Sequence, residues 1–212
     1  TSPTDITLSN ASVAENEPTG TVVGTLAAVD PDNPDVHTFA LVSGAGDTDN
    51  ASFAISADQL QTAASFDYET KGAYSIRVKV TDQGDLTHER QFTVTVSDVN
   101  DAPVITSNGG GSAAAVRVHE GETEVTAVQA TDQDGDALTY GIAGGDDAPL
   151  FTIDTVTGLL FFIEAPNYER PRDADANNVY EVVVQVVDDG SPALTDTQSM
   201  DVRVRNVQYV LL

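Results

Sequence analysis

Asp98, Asn100 and Asp101 place three oxygen-bearing side chains within four residues near the midpoint of the 212-residue chain, and Pro103 follows them. Oxygens at this density suit a hard cation such as Ca²⁺, which takes about six to eight of them. One short segment cannot fill that shell, so the remaining ligands must come from loops on either side. Pro103 has a fixed φ and biases Ala102 to an extended backbone, which makes the segment a poor flexible linker. Alternating apolar residues lead into it (Phe92, Val94, Val96) and a strand-like pair leaves it (Val104, Ile105). The oxygens therefore lie where two folded units meet.

The elements that must position them are strands. Apolar residues recur with period two at Ile6 and Leu8, Val22 to Val29, Phe39 and Leu41, Phe53 and Ile55, Tyr74 to Val80, and Phe92 to Val96, with Gly, Pro, Asp and Asn between. No stretch has the pattern of an amphipathic helix. About seven short strands in about 100 residues predict an antiparallel Greek-key sandwich of immunoglobulin-like topology. The second half repeats the plan: Ala115 to Val118 answers Ser12-Val13, Val125 to Ala130 answers Val22 to Ala28, Phe151 to Ile153 answers Phe53 to Ile55, and Tyr180 to Val187 answers Tyr74 to Thr81. The acidic pairs Glu15 and Glu120, Asp30 and Asp132, Glu69 and Glu169, and Asp82 and Asp188 are offset by 100 to 106 residues. One near-constant offset for core and acidic positions means a tandem repeat. The chain thus reads as all-β, with two seven-stranded sandwiches at 1–101 and 102–212 joined by a Ca²⁺-binding linker.

Composition narrows the partners. With 34 acidic against 9 basic residues the formal charge is −25, which argues against nucleic acid or an anionic membrane as a ligand and for cations. Cysteine is absent, so disulfides and thiolate metal sites are excluded. There is no long apolar run and no basic-then-apolar start, as expected of a mature fragment of something larger with no membrane insertion of its own. His37, His88 and His119 have no nucleophile motif or metal-ligand spacing and read as surface residues, so no catalysis is expected. Gly109-Gly110-Gly111-Ser112 lacks the Lys and helix of a phosphate loop and reads as a flexible strand connection.

Several motifs together give a resemblance. They are Ala14-Glu15-Asn16, Asp30-Pro31-Asp32, Phe66-Asp67-Tyr68-Glu69, Val80-Thr81-Asp82-Gln83-Gly84 and Asp98-Val99-Asn100-Asp101-Ala102-Pro103. The second half adds His119-Glu120-Gly121, Thr131-Asp132-Gln133-Asp134-Gly135-Asp136, Asn167-Tyr168-Glu169 and Val187-Asp188-Asp189-Gly190. In this order they resemble tandem cadherin repeats over essentially the whole chain. The stretches Asp132 to Asp136 and Asn167 to Pro171, with Asp173-Ala174-Asp175, look more like the cadherin-like repeats of large bacterial surface or secreted proteins than like those of vertebrate junctions.

The resemblance implies a Ca²⁺ cluster held by Glu15, Asp67 and Glu69 from the first repeat. The linker would add Asn100, Asp101 and the carbonyls of Val99 and Ala102, and the second repeat Asp132, Asp134, Asp188 and the carbonyl of Gly135. Asp98 would brace the linker. It further implies an extracellular adhesion or spacer module whose partner is another cadherin-like surface protein, engaged homophilically or heterophilically. Two carboxylates about 4 Å apart repel by roughly 4 kcal/mol at an effective dielectric near 20, so such a cluster needs cations. Asp30, Asp32 and Asp82 would serve an upstream junction, and Glu120, Asn167 and Glu169 a downstream one, with Asn167 in place of the motif's first carboxylate. There, Asn206-Val207-Gln208-Tyr209 lacks the bridging Asp. Asp173 to Asn178 has the flavour of a Ca²⁺ loop without the Gly or final Glu of an EF-hand. The alternative is a Ca²⁺-dependent carbohydrate-binding module recognising a polysaccharide. Trp is absent, and only Phe161-Phe162, Tyr168 and Tyr209 are expected to be exposed for that task.

Overall fold

The structure is a computed structural model that describes residues 1–32 and 36–207. Its contacts divide the chain into Thr1–Val99 and Asn100–Leu212, with the division inside the acidic segment.

Among its described residues the first unit has eight strands: β1 (Asp5–Leu8), β2 (Ser12–Ala14), β3 (Val22–Val29), β4 (Thr38–Leu41), β5 (Phe53–Ser56), β6 (Gln59–Thr62), β7 (Ala73–Thr81) and β8 (Thr87–Ser97). They form two sheets, in the orders β1-β3-β6-β5 and β2-β8-β7-β4. β1 and β2 are one edge segment that changes sheet: β1 pairs antiparallel with β3, and β2 pairs parallel with β8. Counted as one strand, they give the seven of an immunoglobulin-like sandwich.

The second unit has β9 (Val104–Ile105), β10 (Ala113–His119), β11 (Glu124–Ala127), β12 (Ala130–Thr131), β13 (Thr139–Gly144), β14 (Phe151–Ile153), β15 (Leu159–Phe162), β16 (Val179–Val187) and β17 (Thr195–Arg205). β9 pairs antiparallel with β12 and β10 parallel with β17, so the first strand again changes sheet. The partner of β9 is interrupted, because the Val128 N–H donates to the Gly158 carbonyl while the Gln129 carbonyl accepts from Thr106 and Ser107.

Alternation explains both cores, since every second side chain of a strand faces the same way. Ile76, Val78, Val80, Val94 and Val96 are buried in one unit, and Val182, Val184, Val186, Met200, Val202 and Val204 in the other. Burying each such side chain stabilises by about 1.5–3 kcal/mol. Phe53, Phe66 and Tyr74 pack ring against ring in the first unit, with the Phe66 and Tyr74 centroids 4.3 Å apart. Phe151, Phe162 and Tyr180 do so in the second, Phe151 stacked on Phe162 at 4.5 Å.

Two expectations are corrected here. Phe162 is not exposed: it is 3 % accessible, because the pleat of β15 turns Leu160 and Phe162 to the same inner face. The glycine connection from β9 to β10 is a defined turn. Asn108, Gly109, Gly110 and Gly111 all take positive φ, open to glycine without a Cβ penalty. Fully buried Gln198 on β17 anchors it by donating from Nε2 to the Gly111 carbonyl at 3.0 Å.

Candidate metal-binding loops

In the first unit Glu15 follows β2, where the sheet-switching strand ends, and is 2 % exposed. Its Oε1 accepts the Val99 N–H at 2.8 Å and its Oε2 the Tyr68 N–H at 2.7 Å. One carboxylate thereby ties the first strand to the loop after β6 and to the second residue after β8. Glu15, Glu69 and Asp98 each bring a carboxylate oxygen within 4.8 Å of the others. Asp98, which the resemblance gave a bracing role, is a member of this triad. Asp67 lies on the same loop as Glu69, with its carboxylate accepting the Thr70 N–H and hydroxyl at 2.8 and 3.0 Å.

In the second unit Asp132 Oδ1 accepts the N–H groups of Asp134, Gly135 and Asp136 at 3.0, 3.1 and 3.3 Å. That wraps the loop around one oxygen, with Gly135 at φ 82°. Asp134 Oδ2 accepts the Asp101 N–H at 2.6 Å. Asp188, 4 % exposed, accepts the Gly190 and Leu194 N–H groups through Oδ1. Asn100 Nδ2 donates to Asp188 Oδ2 at 3.2 Å and to the Pro192 carbonyl at 2.9 Å. Asn100, Asp101, Asp134 and Asp188 are thus joined by direct bonds, and Ala102 follows them on the same segment.

The same loops hold residues that spacing did not single out as ligands. Asp136 lies with Asp132 and Asp134 as three carboxylates whose oxygens fall within 4.8 Å of one another. Burial and then the charges of Asp189, Asp132, Asp134 and Asp188 push its carboxyl above the usual range. Asp189 accepts the Ala137 N–H. A Cβ on Gly190 would lie 1.9 Å from Asn100 Oδ1, so only glycine leaves room for that amide. The alternate-Asp spacing was a signal for Asp136; no local signal marks Gly190, whose constraint comes from a residue 90 positions away.

The loops fit a hard cation on a specific observation. Asp132 Oδ2 and Asp134 Oδ1 are buried and meet no hydrogen-bond donor among the described residues. A buried carboxylate oxygen without a partner costs about 1–3 kcal/mol or more, and an all-oxygen donor set without His or Cys is the chemistry of Ca²⁺ rather than of a transition metal.

The outer sets differ from this. Asp82 uses Oδ1 to accept the Gly84 and Leu86 N–H groups, as Asp188 does with its own loop. Asp30 Oδ2, by contrast, lies 3.0 Å from His37 Nε2, and that bond holds its carboxyl below the usual range. His37 is therefore no surface residue: its side chain is 16 % exposed and packed on Asp30. The Asp32 N–H donates to Asp30 Oδ1 at 2.9 Å. At the other end Glu120 repeats Glu15, accepting the Val207 and Tyr168 N–H groups at 2.8 and 3.2 Å. These bonds, Val207 first, hold its carboxyl low. Glu169 accepts from Asn206 Nδ2. Tyr209 lies outside the described residues, Phe162 is buried and Tyr168 is exposed; no observation favours a glycan platform.

A family model described as Cadherin domain matches residues 9–97 and 114–205. Cadherin-23 of Mus musculus is 33 % identical over 204 residues, covering 91 % of this chain and 6 % of that protein. Protocadherin Fat 1 of Homo sapiens is 32 % identical over 155 residues, covering 70 % and 3 %. Among solved structures, human Protocadherin-24 EC1-2 superposes with a TM-score of 0.66 at 21 % identity, covering 98 % of this chain and all of that one. The chain thus spans a small fraction of the curated relatives it matches. They are animal proteins and give no support to a bacterial parent.

Proposed function

The chain belongs to the cadherin family as two repeats in tandem, and from that premise we propose that it is a calcium-binding, calcium-stiffened adhesion or spacer module of a larger extracellular protein. The observation that carries this reading is the pair of orphaned buried oxygens on Asp132 and Asp134, set among donors that are all oxygen.

The ligands would be Glu15, Asp67, Glu69, Asn100, Asp101, Asp132, Asp134 and Asp188 with carbonyls of Val99, Ala102 and Gly135, joined by Asp98 and Asp136. Bound Ca²⁺ supplies the positive charge that offsets their mutual repulsion and resists displacement of any one ligand from the rest. The chain's own residues do the positioning. Glu15 holds Val99 and Tyr68 by their N–H groups, and Asn100 is fixed to the Asp188 loop before any ion arrives. A hinge whose two sides are each prearranged loses little further entropy on binding.

The partner is proposed to be another cadherin-like surface protein, homophilic or heterophilic, by likeness to the family. The absence of Trp excludes an exchange anchored by that residue. No helix among the described residues is long and apolar enough to cross a membrane.

Calcium titration by calorimetry, with small-angle scattering of the same samples with and without EDTA, tests the proposal. Saturable binding at about 10⁻⁵ to 10⁻³ M with a larger maximum dimension is expected, and Asp134→Asn is expected to abolish the change in dimension and to lower the number of ions bound. Unchanged scattering on saturation, or no binding below several millimolar, would overturn it.

A further inference from the structure

The connection from β15 to β16, residues 163–178, is six residues longer than its counterpart in the first unit, 63–72. The extra length is the run Asp173-Ala174-Asp175-Ala176-Asn177-Asn178, which the junction does not use. We propose that this loop holds a hard divalent cation of the Ca²⁺ class at a site of its own, with Asp173 Oδ1 and Asn178 Oδ1 as inner ligands.

Asp173 is 6 % exposed, so its carboxylate is buried although Arg172, Ala174, Asp175, Ala176 and Asn177 around it are exposed. Its Oδ2 is satisfied, accepting the Asn177 and Asn178 N–H groups at 2.6 and 3.1 Å. Its Oδ1 is buried and meets no donor among the described residues, and the same is true of Asn178 Oδ1. The Asn178 amide cannot be turned over to relieve this. Its Nδ2 donates to the Tyr168 carbonyl at 3.1 Å, an acceptor that only the NH₂ end can face. Two neighbouring side chains, linked through the Asn178 N–H, therefore each present an oxygen that lacks a positive partner.

The surroundings favour a cation over a water molecule as that partner. A hollow of about 90 Å³ beside the loop is lined by four acidic residues, Asp146, Asp147, Asp175 and Glu181, together with Ala174 and Val179. Asp147 is itself buried and spends both oxygens on the Ala174 and Glu181 N–H groups at 2.8 Å, which fixes the loop against β16. Arg172, the nearest basic residue in sequence, is paired with Glu164. A water could donate to the orphaned oxygens but would leave the carboxylate charge uncompensated, whereas a divalent ion answers both. Asp175 is exposed, with one oxygen engaged by Asn177 Nδ2.

The test follows backbone amide shifts during a Ca²⁺ titration of the full chain, in the native sequence and in Asp134→Asn, which disables the junction. The Asn177 and Asn178 amides are expected to shift saturably in both. Asp173→Asn is expected to remove that response while the Asp101 amide still responds, and Asn178→Ala, a milder change, to weaken it about tenfold or more. Amides at 177 and 178 that stay unmoved up to about 10 mM Ca²⁺, or an affinity unchanged in both loop variants, would overturn the proposal. Either result leaves the junction reading to stand or fall on the Asp101 signal.

Discussion

Gly190 and Asn100 show how a single absent carbon can shape a binding loop. In Gly190→Ala the new methyl must displace the Asn100 amide, breaking its bonds to Asp188 and the Pro192 carbonyl. Overpacking of this kind costs about 1–3 kcal/mol, so the urea midpoint of the variant in EDTA should fall, and its calorimetric Ca²⁺ affinity with it. Titration separates two other residues by sign. The Glu120 carboxyl is held low by backbone N–H groups, so its contribution is fully present above the unfolded value near 4.3 and is lost as pH falls through the lower folded value. Asp136 is pushed the other way, so its ionisation disfavours the fold as pH rises from the ordinary Asp value through the raised one. Without calcium, Glu120→Gln should flatten the acid limb of the stability profile, and Asp136→Asn should raise the melting temperature at pH 7. Most of the acidic positions could be read from the chain because each is displayed in a short motif. The His37–Asp30 contact and the Gly190–Asn100 fit could not, since both are tertiary encounters that no local spacing encodes.

Among the strands, period two locates the inward faces well: Ile76, Val78 and Val80 alternate in sequence and are buried together. Alternation is silent, however, about which neighbour a strand chooses. Neither the change of sheet from β1 to β2 nor the break between β11 and β12 leaves a hydrophobic signature, because both are fixed by pairing with residues far along the chain. The pair Phe161-Phe162 shows the same limit, since Phe162 is buried and Phe161 only partly so. Two adjacent aromatics on a strand face opposite ways, and only the partner sheet decides which is inside. Leu60 and Leu160 occupy matching central positions, on β6 and β15, and both are fully buried. Leu60→Ala and Leu160→Ala should each cost about 2–5 kcal/mol, read as a drop in the urea midpoint of the unit concerned.

A formal charge of −25 acts on the molecule as a whole. Without divalent ions its self-repulsion opposes folding, and salt screens it over a Debye length of about 8 Å at 0.15 M. Added NaCl should therefore raise the melting temperature in EDTA and shrink the further rise that Ca²⁺ produces; a salt-independent melting temperature would show that the carboxylates are already balanced. The strand that changes sheet bears on a different demand. β2 runs parallel to β8, and β10 to β17, so a pull applied at the two ends of a repeat slides these strands past each other and loads all their hydrogen bonds at once. The first repeat resists with a three-residue overlap, Ser12–Ala14 against Thr95–Ser97, and the second with seven, Ala113–His119 against Ser199–Arg205. Under tension, then, the two repeats are unequal fuses: end-to-end stretching of single molecules should open the first at the lower force, and the second should hold the tether after the first has yielded.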